Sequence, residues 1–171
     1  VYPLDPSLPR EGQIMLDNCP GRHLFHSEDF FIAWNGESAY IDIQVAVGSP
    51  RIVCDLQGTV VFVDMDTGEI EELKDVMYHE KSNDNIISEG QWARDNAGYE
   101  FVVRGEDHLI MKPGQPPRRT RKIGNHGVLR ARPLNATEKK KYLRDRYPMT
   151  HNEDEVALLA SRLHLAADLM M

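Results

Sequence analysis

The side chains best suited to metal binding or nucleophilic catalysis lie close together near the N-terminus, with one more further along. Cys19, His23, His26 and Cys54 are of the types that bind zinc, but Cys-x3-His-x2-His is not a standard finger spacing, and Cys54 stands alone on a predicted strand. Cys19 and His23 could also form a nucleophile and base, yet no residue indicates an oxyanion hole or an orienting third group. We therefore predict ordinary loop residues here and no metal site.

The elements that would position these residues are short β-strands. Over 40–47 apolar and polar residues alternate with period two, and other short apolar or β-branched runs follow turn signals roughly every ten residues. The runs are 13–16, 40–47, 51–54, 59–63, 69–73, 76–78, 86–87, 99–103 and 108–111. Turn sequences at 66–68 and 105–107 mark two hairpins. The pattern predicts a mainly β domain, either a small barrel or a sandwich.

Composition indicates an intracellular globular protein without a small-molecule cofactor. The chain has 171 residues, of which 41% are hydrophobic and 27% charged. No apolar run approaches the roughly 20 residues that span a bilayer, so we expect no membrane partner. Two cysteines are too few for a disulfide scaffold, which favours the cytoplasm or nucleus. Gly58, Gly68 and Gly90 are isolated, so no phosphate-binding loop is predicted.

Charge is distributed unevenly along the chain. Residues 112–147 hold 12 Lys and Arg against 2 Asp and Glu, a net charge of +10, whereas the remaining residues hold 8 and 25, a net charge of −17. The candidate interaction residues are Arg118, Arg119, Arg121, Lys122, Arg130, Arg132, Lys139, Lys140 and Lys141. They could neutralise nucleic-acid phosphates or form a nuclear-import signal. A solvated linker that balances the acidic body explains them equally well.

Helices are predicted at the C-terminal end. Thr137 is a plausible N-cap for a helix over 138–146 that Pro148 ends, and Asn152 can cap a second helix. The second helix would present an apolar face that must be buried against the barrel, a second copy or another protein. That face contains Leu158, Leu159, Leu163, Leu165 and Leu169.

Several motifs, in order, resemble the protease region of copia-type LTR retrotransposon Pol polyproteins. These are Gly58-Thr59-Val60, then LKDVMY at 73–78, NIISEGQW at 85–92 and GYEFVV at 98–103, with Val47-Gly48-Ser49 upstream. The family shows G-T-V, L-x-D-V-L-Y, N-L-L-S-V-G-Q-L and G-Y-x-V-x-F at about these spacings. The resemblance implies a small retropepsin-like closed β-barrel. With the charge pattern it divides the chain into a lead-in (1–11), a barrel (12–113), a basic linker (114–136) and a C-terminal helical segment (137–171).

The same resemblance aligns Asp17 with the catalytic aspartate and His23 with the histidine that follows it. In retropepsins each subunit of a homodimer supplies one aspartate, and the two share a proton and activate a water. The family's D-S-G is replaced here by Asp17, Asn18 and Cys19, followed by Pro20. Cysteine adds a Cβ where glycine turns the backbone, and proline fixes φ and removes an amide donor.

The sequence is therefore compatible with three functions. The first is a protease-derived domain that has lost activity and serves as a protein-interaction or dimerisation scaffold. The second is an active homodimeric aspartic endopeptidase that uses Asp17 from each subunit. The third is a nucleic-acid-associated protein that acts through residues 112–147.

Overall fold

The computed structural model describes residues 12–18, 20–35, 41–44, 51–54 and 56–146. The strands are β1 (Gln13–Asp17), β2 (Leu24–Phe25), β3 (Phe31–Trp34), β4 (Ile41–Gln44), β5 (Arg51–Cys54), β6 (Leu56–Asp64), β7 (Ile70–Tyr78), β8 (Asn85–Ser88), β9 (Glu100–Arg104), β10 (Asp107–Met111), β11 (Arg118–Ile123) and β12 (His126–Pro133). The α-helices are α1 (Glu89–Asp95) and α2 (Ala136–Arg146), and a 3-10 turn spans Glu28–Phe30. None of the described helices is long and apolar enough to cross a bilayer.

Six of these strands close into a barrel. Around the ring, β6 pairs with β7, β7 with β2, β2 with β8, β8 with β1 and β1 with β12, and β12 returns to β6. Strand β1 is parallel to β8 and antiparallel to β12. The sheet continues past β6 into β3 and past β12 into β11, β10 and β9, while β4 and β5 form a separate pair. The prediction of a mainly β fold with a closed barrel is confirmed.

Apolar side chains from several strands fill the barrel. Ile14 and Leu16 of β1, Phe62 of β6 and Leu129 of β12 are almost completely buried in one cluster, which extends to Trp92 of α1. Each buried aliphatic or aromatic side chain of this size contributes about 1.5–3 kcal/mol to folding. The cluster draws on the first and the last strands of the described chain, so the barrel forms only when distant segments meet.

The two predicted hairpins are confirmed, and one glycine is required by a close approach. Asp66–Gly68 turns the chain from β6 into β7, with Gly68 at φ +77°, and β9 pairs antiparallel with β10 through a two-residue turn at Gly105. A Cβ on Gly58 would lie 2.2 Å from the backbone oxygen of Ala33. Because no side chain fits there, β3 and β6 pack closely only with glycine at position 58.

The prediction of a basic linker over 114–136 is wrong. This segment contains β11 and β12, and β12 is the strand that closes the barrel. Thr120, Val128 and Ala131 are buried, whereas Arg119 and Arg132 are exposed. Basic residues therefore occupy the outward positions of two strands, because long cationic side chains can reach solvent from a strand whose other residues are buried.

The first predicted C-terminal helix is present, but its N-cap lies two residues earlier than expected. Glu138 N–H donates to Asn135 Oδ1 (2.8 Å), and Asn135 N–H donates to Glu138 Oε1 (3.1 Å), which is a capping box with Asn135, not Thr137, as the cap. Leu143 packs the helix against β3 and β6. The second predicted helix, with its leucine face, lies outside the described residues. Helix α1 was not predicted.

Candidate catalytic site and basic surface

Asp17 ends β1 at the point where this strand lies beside β8. Its side chain is 10% exposed, and its register partner is Ser88. From the start of β12, the His126 Nδ1 atom lies 3.9 Å from Asp17 Oδ1 and 3.2 Å from the backbone oxygen of Leu16. A carbonyl oxygen can only accept a hydrogen bond, so Nδ1 is the donor to Leu16. The carboxylate is thus enclosed by strands of its own chain.

Buried and part-buried hydrogen bonds tie the loop after Asp17 to β8 and α1. The Ser88 hydroxyl donates to Pro20 O (2.7 Å) and accepts from Gln91 N–H (3.1 Å), which makes Ser88 the N-cap of α1. Gln91 Oε1 accepts from His23 N–H (2.8 Å), and Gln91 Nε2 donates to Lys74 O (2.9 Å). The loop is therefore held in one position by the strand and helix beside it.

His23 is a structural histidine in this network. Its ring is fully buried, and Nδ1 accepts a hydrogen bond from Ser88 N–H (2.9 Å), so the proton of the neutral ring lies on Nε2. Within the described residues, Nε2 has no hydrogen-bond partner. Burial, together with the positive charges of Arg22 and Arg94, lowers the pKa of His23 to about 3. His23 is therefore neutral at physiological pH. Its one unprotonated nitrogen, Nδ1, already accepts the Ser88 N–H, so the ring is not available as a base for Cys19.

The other candidate ligands do not converge in the described part of the chain. Cys54 is buried in β5, while Cys19 lies outside the described residues. The backbone of His26 donates to Asn85 Oδ1 (2.9 Å). Among the residues that the structure describes, no three His, Cys, Asp or Glu side chains are grouped so as to hold a metal ion.

A buried acid–imidazole–hydroxyl chain was not predicted from the sequence. Glu89 Oε1 lies 2.7 Å from His108 Nε2, and Thr120 Oγ1 lies 2.9 Å from His108 Nδ1. A Cβ on Gly127 would lie 2.5 Å from His108 Nδ1 and 2.7 Å from the threonine hydroxyl, so the backbone of β12 covers both groups. No substrate can reach this hydroxyl, and the chain of contacts joins α1 to β10 and β11 instead.

Four of the predicted interaction residues are paired with carboxylates of the same chain. Arg118 binds Asp64 at 2.7 Å, and the other three pairs are Arg119 with Asp107 (3.3 Å), Arg130 with Asp66 (3.5 Å) and Arg132 with Glu138 (2.7 Å). The Asp64 side chain is only 6% exposed and accepts hydrogen bonds from Nε and Nη2 of the Arg118 guanidinium. The hydrogen bond from Arg132 is the main reason that the pKa of Glu138 falls to about 2.

The remaining predicted interaction residues are distributed over two elements. Arg121 is exposed on β11, and the Lys122 ammonium donates to Gly105 O (3.0 Å). On α2, the Lys139 ammonium donates to Asp29 O (3.0 Å), whereas Lys140 and Lys141 are exposed. The structure therefore does not bring the nine residues together as one open cationic surface.

Lys112, which lies in the basic segment but was not among the nine candidate interaction residues, lines a cavity of about 260 Å³ between β7, α1 and β10. The Lys112 ammonium lies 5.8 Å from the centre of the Trp92 ring and 5.4 Å from that of Tyr99. It is hydrogen-bonded to Glu71 and lies 3.7 Å from Glu69. Burial acts to lower the pKa of Lys112, but the Glu71 carboxylate outweighs it and the pKa is raised. The chain's own lysine thus occupies this aromatic and acidic site.

Comparison with known proteins assigns the chain to no family, because no protein-family model, curated protein or solved structure matches it. What the candidate site can do is therefore inferred from its own contacts. Those contacts are an enclosed carboxylate, a neutral buried imidazole and a set of ion-paired arginines.

Proposed function

We propose that this chain is a retropepsin-like β-barrel that has lost proteolytic activity and works as an intracellular protein-binding module. The enclosure of Asp17 is the observation that carries the proposal. An aspartic protease activates a water between two carboxylates that share a proton, so each carboxylate must open toward the other. Here the Asp17 side chain is 10% exposed, and the imidazole of His126 lies beside it.

The residues around Asp17 support the same conclusion. In active retropepsins a hydroxyl after the aspartate links the two catalytic loops, and here that position is Asn18, which is exposed. The hydroxyl of Ser88, on the strand beside Asp17, is already engaged with Pro20 and Gln91. Catalysis requires groups held within about half an ångström of the productive geometry, and no described hydroxyl next to Asp17 is positioned for that role.

A nucleic-acid role is less well supported. Phosphate binding gains free energy because protein cations replace the condensed counterions of the nucleic acid. Arg118, Arg119, Arg130 and Arg132 already neutralise carboxylates of their own chain, so binding phosphate would require those ion pairs to break. We expect only weak association with DNA or RNA, with a shallow dependence on salt. Fluorescence anisotropy with labelled oligonucleotides between about 50 and 200 mM salt measures this slope.

Peptide hydrolysis tests the main proposal. The full chain and the Asp17→Asn variant are incubated with a mixed peptide library between about pH 4 and pH 7, where carboxylate pairs of this class are active. We expect the two proteins to give the same background cleavage. Cleavage that depends on Asp17 and is blocked by a transition-state analogue of aspartic proteases would overturn the proposal in favour of an active homodimeric endopeptidase.

A second variant separates the two reasons given for inactivity. Asn18→Ser combined with Cys19→Gly restores the loop residues of the family without moving His126. Because Asp17 stays enclosed between β8 and β12, we expect this double variant to remain inactive. If it gains hydrolysis that Asp17→Asn removes, the enclosure argument is wrong and the loop substitutions alone account for the loss.

A further inference from the structure

Strand β9 (Glu100–Arg104) is the last strand on one side of the sheet. Among the described residues it pairs with β10 alone. Val103 is 55% exposed, one of three large apolar side chains exposed to this degree in the described chain. Unpaired strand edges present a row of backbone donors and acceptors that a further strand can use.

The register of the β9–β10 hairpin decides which backbone groups point outward. The two-residue turn sets Arg104 opposite Asp107, and such a turn closes on a hydrogen-bonded pair. Pairs in an antiparallel ladder alternate between hydrogen-bonded and non-hydrogen-bonded, so Val102 and Glu100 also bond to β10. The N–H and C=O groups of Phe101 and Val103 therefore face the free edge.

This edge is complementary to itself. When two β9 strands run antiparallel with Val102 opposite Val102, each Phe101 faces Val103 of the second copy and exchanges both backbone hydrogen bonds with it. In that register, Glu100 of each copy lies opposite Arg104 of the other in a closely spaced pair. Both residues are exposed, and neither has an ion pair in the described part of the chain.

We propose that the chain forms a homodimer by antiparallel pairing of β9 with β9 of a second copy, with Glu100 and Arg104 as reciprocal ion pairs. The inference rests on the proposed binding role and names its partner. A five-residue strand gives a small interface, so the dimer is weak, with a Kd on the order of 0.1 mM. If residues 100 and 104 carried the same charge, two copies would repel each other in this register. Their opposite charges therefore favour pairing with a second copy.

Charge reversal tests the register directly. Sedimentation equilibrium of the full chain from about 10 µM to about 1 mM should give monomer and dimer. Glu100→Arg places two arginines on each edge, and Arg104→Glu places two glutamates there, so each variant alone should dimerise at least about tenfold more weakly. An equal mixture of the two variants should associate again, because the edges are then complementary. Arg144→Glu, an exposed change of the same charge on α2, is the matched control and should behave as the unmodified chain.

A backbone variant makes the test independent of charge. Val103→Pro removes an N–H that points away from β10, so the hairpin should persist while dimerisation is lost; circular dichroism checks the fold. A chain that stays monomeric at the highest concentration, a dimer that survives Val103→Pro, or charge variants that do not associate on mixing would each overturn the inference. These results leave the hydrolysis test untouched, and Asp17-dependent hydrolysis would overturn the proposed function without bearing on β9.

Discussion

His23 should make the fold sensitive to mild acid. Its pKa is lowered to about 3 by burial in the folded chain, against a value near 6.5 when unfolded. A histidine with a lowered folded pKa contributes stability above its unfolded pKa and loses it as the pH falls toward the folded pKa. Between pH 7 and pH 5 the unfolded ring becomes mostly protonated while the folded ring stays neutral. This linkage removes about 2 kcal/mol from the free energy of unfolding, and the value at pH 5 hardly depends on whether the folded pKa is 3 or 4.

Urea unfolding at pH 7 and pH 5 measures this loss, and a single substitution isolates it. His23→Asn places an amide oxygen where Nδ1 accepts the Ser88 N–H, but it cannot titrate. The variant should be less stable at pH 7 because a buried ring is lost. Its stability should then fall by about 2 kcal/mol less than that of the unmodified chain between pH 7 and pH 5. His79→Asn is the matched control, since His79 Nδ1 also accepts a backbone N–H, from Lys81, at an exposed site.

Two results would refute this reasoning. One is an equal loss of stability on acidification in the unmodified chain and in His23→Asn. The other is a nuclear magnetic resonance titration in which the His23 ring of the folded protein becomes protonated near pH 6.5. The His79→Asn variant retains His23 and should keep the full acid dependence; if it loses that dependence, another group is responsible.

Three further substitutions test the packing that positions the site. Asn135→Ala removes the cap of α2 and should cost about 1 kcal/mol in urea unfolding, whereas Asn135→Ser should restore most of it. Arg118→Met leaves the Asp64 carboxylate buried without its guanidinium and should cost about 2 kcal/mol, a loss that Asp64→Asn in the same chain should partly recover. Gly58→Ala places a Cβ against the backbone of β3 and should lower stability by about 1–3 kcal/mol, while Gly21→Ala, where a Cβ meets nothing within 4 Å, should not.

Short apolar or β-branched runs between turn signals were enough to predict eight of the twelve described strands, because strands that are buried on one or both faces need such residues. Strands β2, β3, β11 and β12 were not predicted. The hairpin at 99–111 and the turn at 66–68 were predicted because their turn residues are adjacent in the sequence. Helix α1 was missed because its seven residues are too short for a helical period and its cap, Ser88, ends a strand.

The basic segment was predicted as a linker because its charges are visible in the sequence and their partners are not. Arg118 pairs with Asp64, 54 positions earlier, and Arg130 with Asp66, 64 positions earlier. The net charge of the segment alone therefore predicts a strongly cationic arm. In the fold, the segment forms two strands, and four of its arginines are paired with carboxylates that lie close in space. The same limit applied to Asp17, whose neighbour His126 lies more than 100 residues away along the chain.

Strand β12 links barrel closure to the state of the candidate catalytic residue. Its first residue, His126, contacts the end of β1 beside Asp17, while Ala131 and Pro133 pair with β6 and complete the ring. An arrangement that opened Asp17 toward a second subunit would have to displace His126, and His126 cannot move far without disturbing the β1–β12 ladder that begins at Gly127. The strand that closes the barrel is therefore also the strand that encloses the carboxylate. Because of this coupling we expect a stable barrel with binding edges, and not a protease with an accessible aspartate.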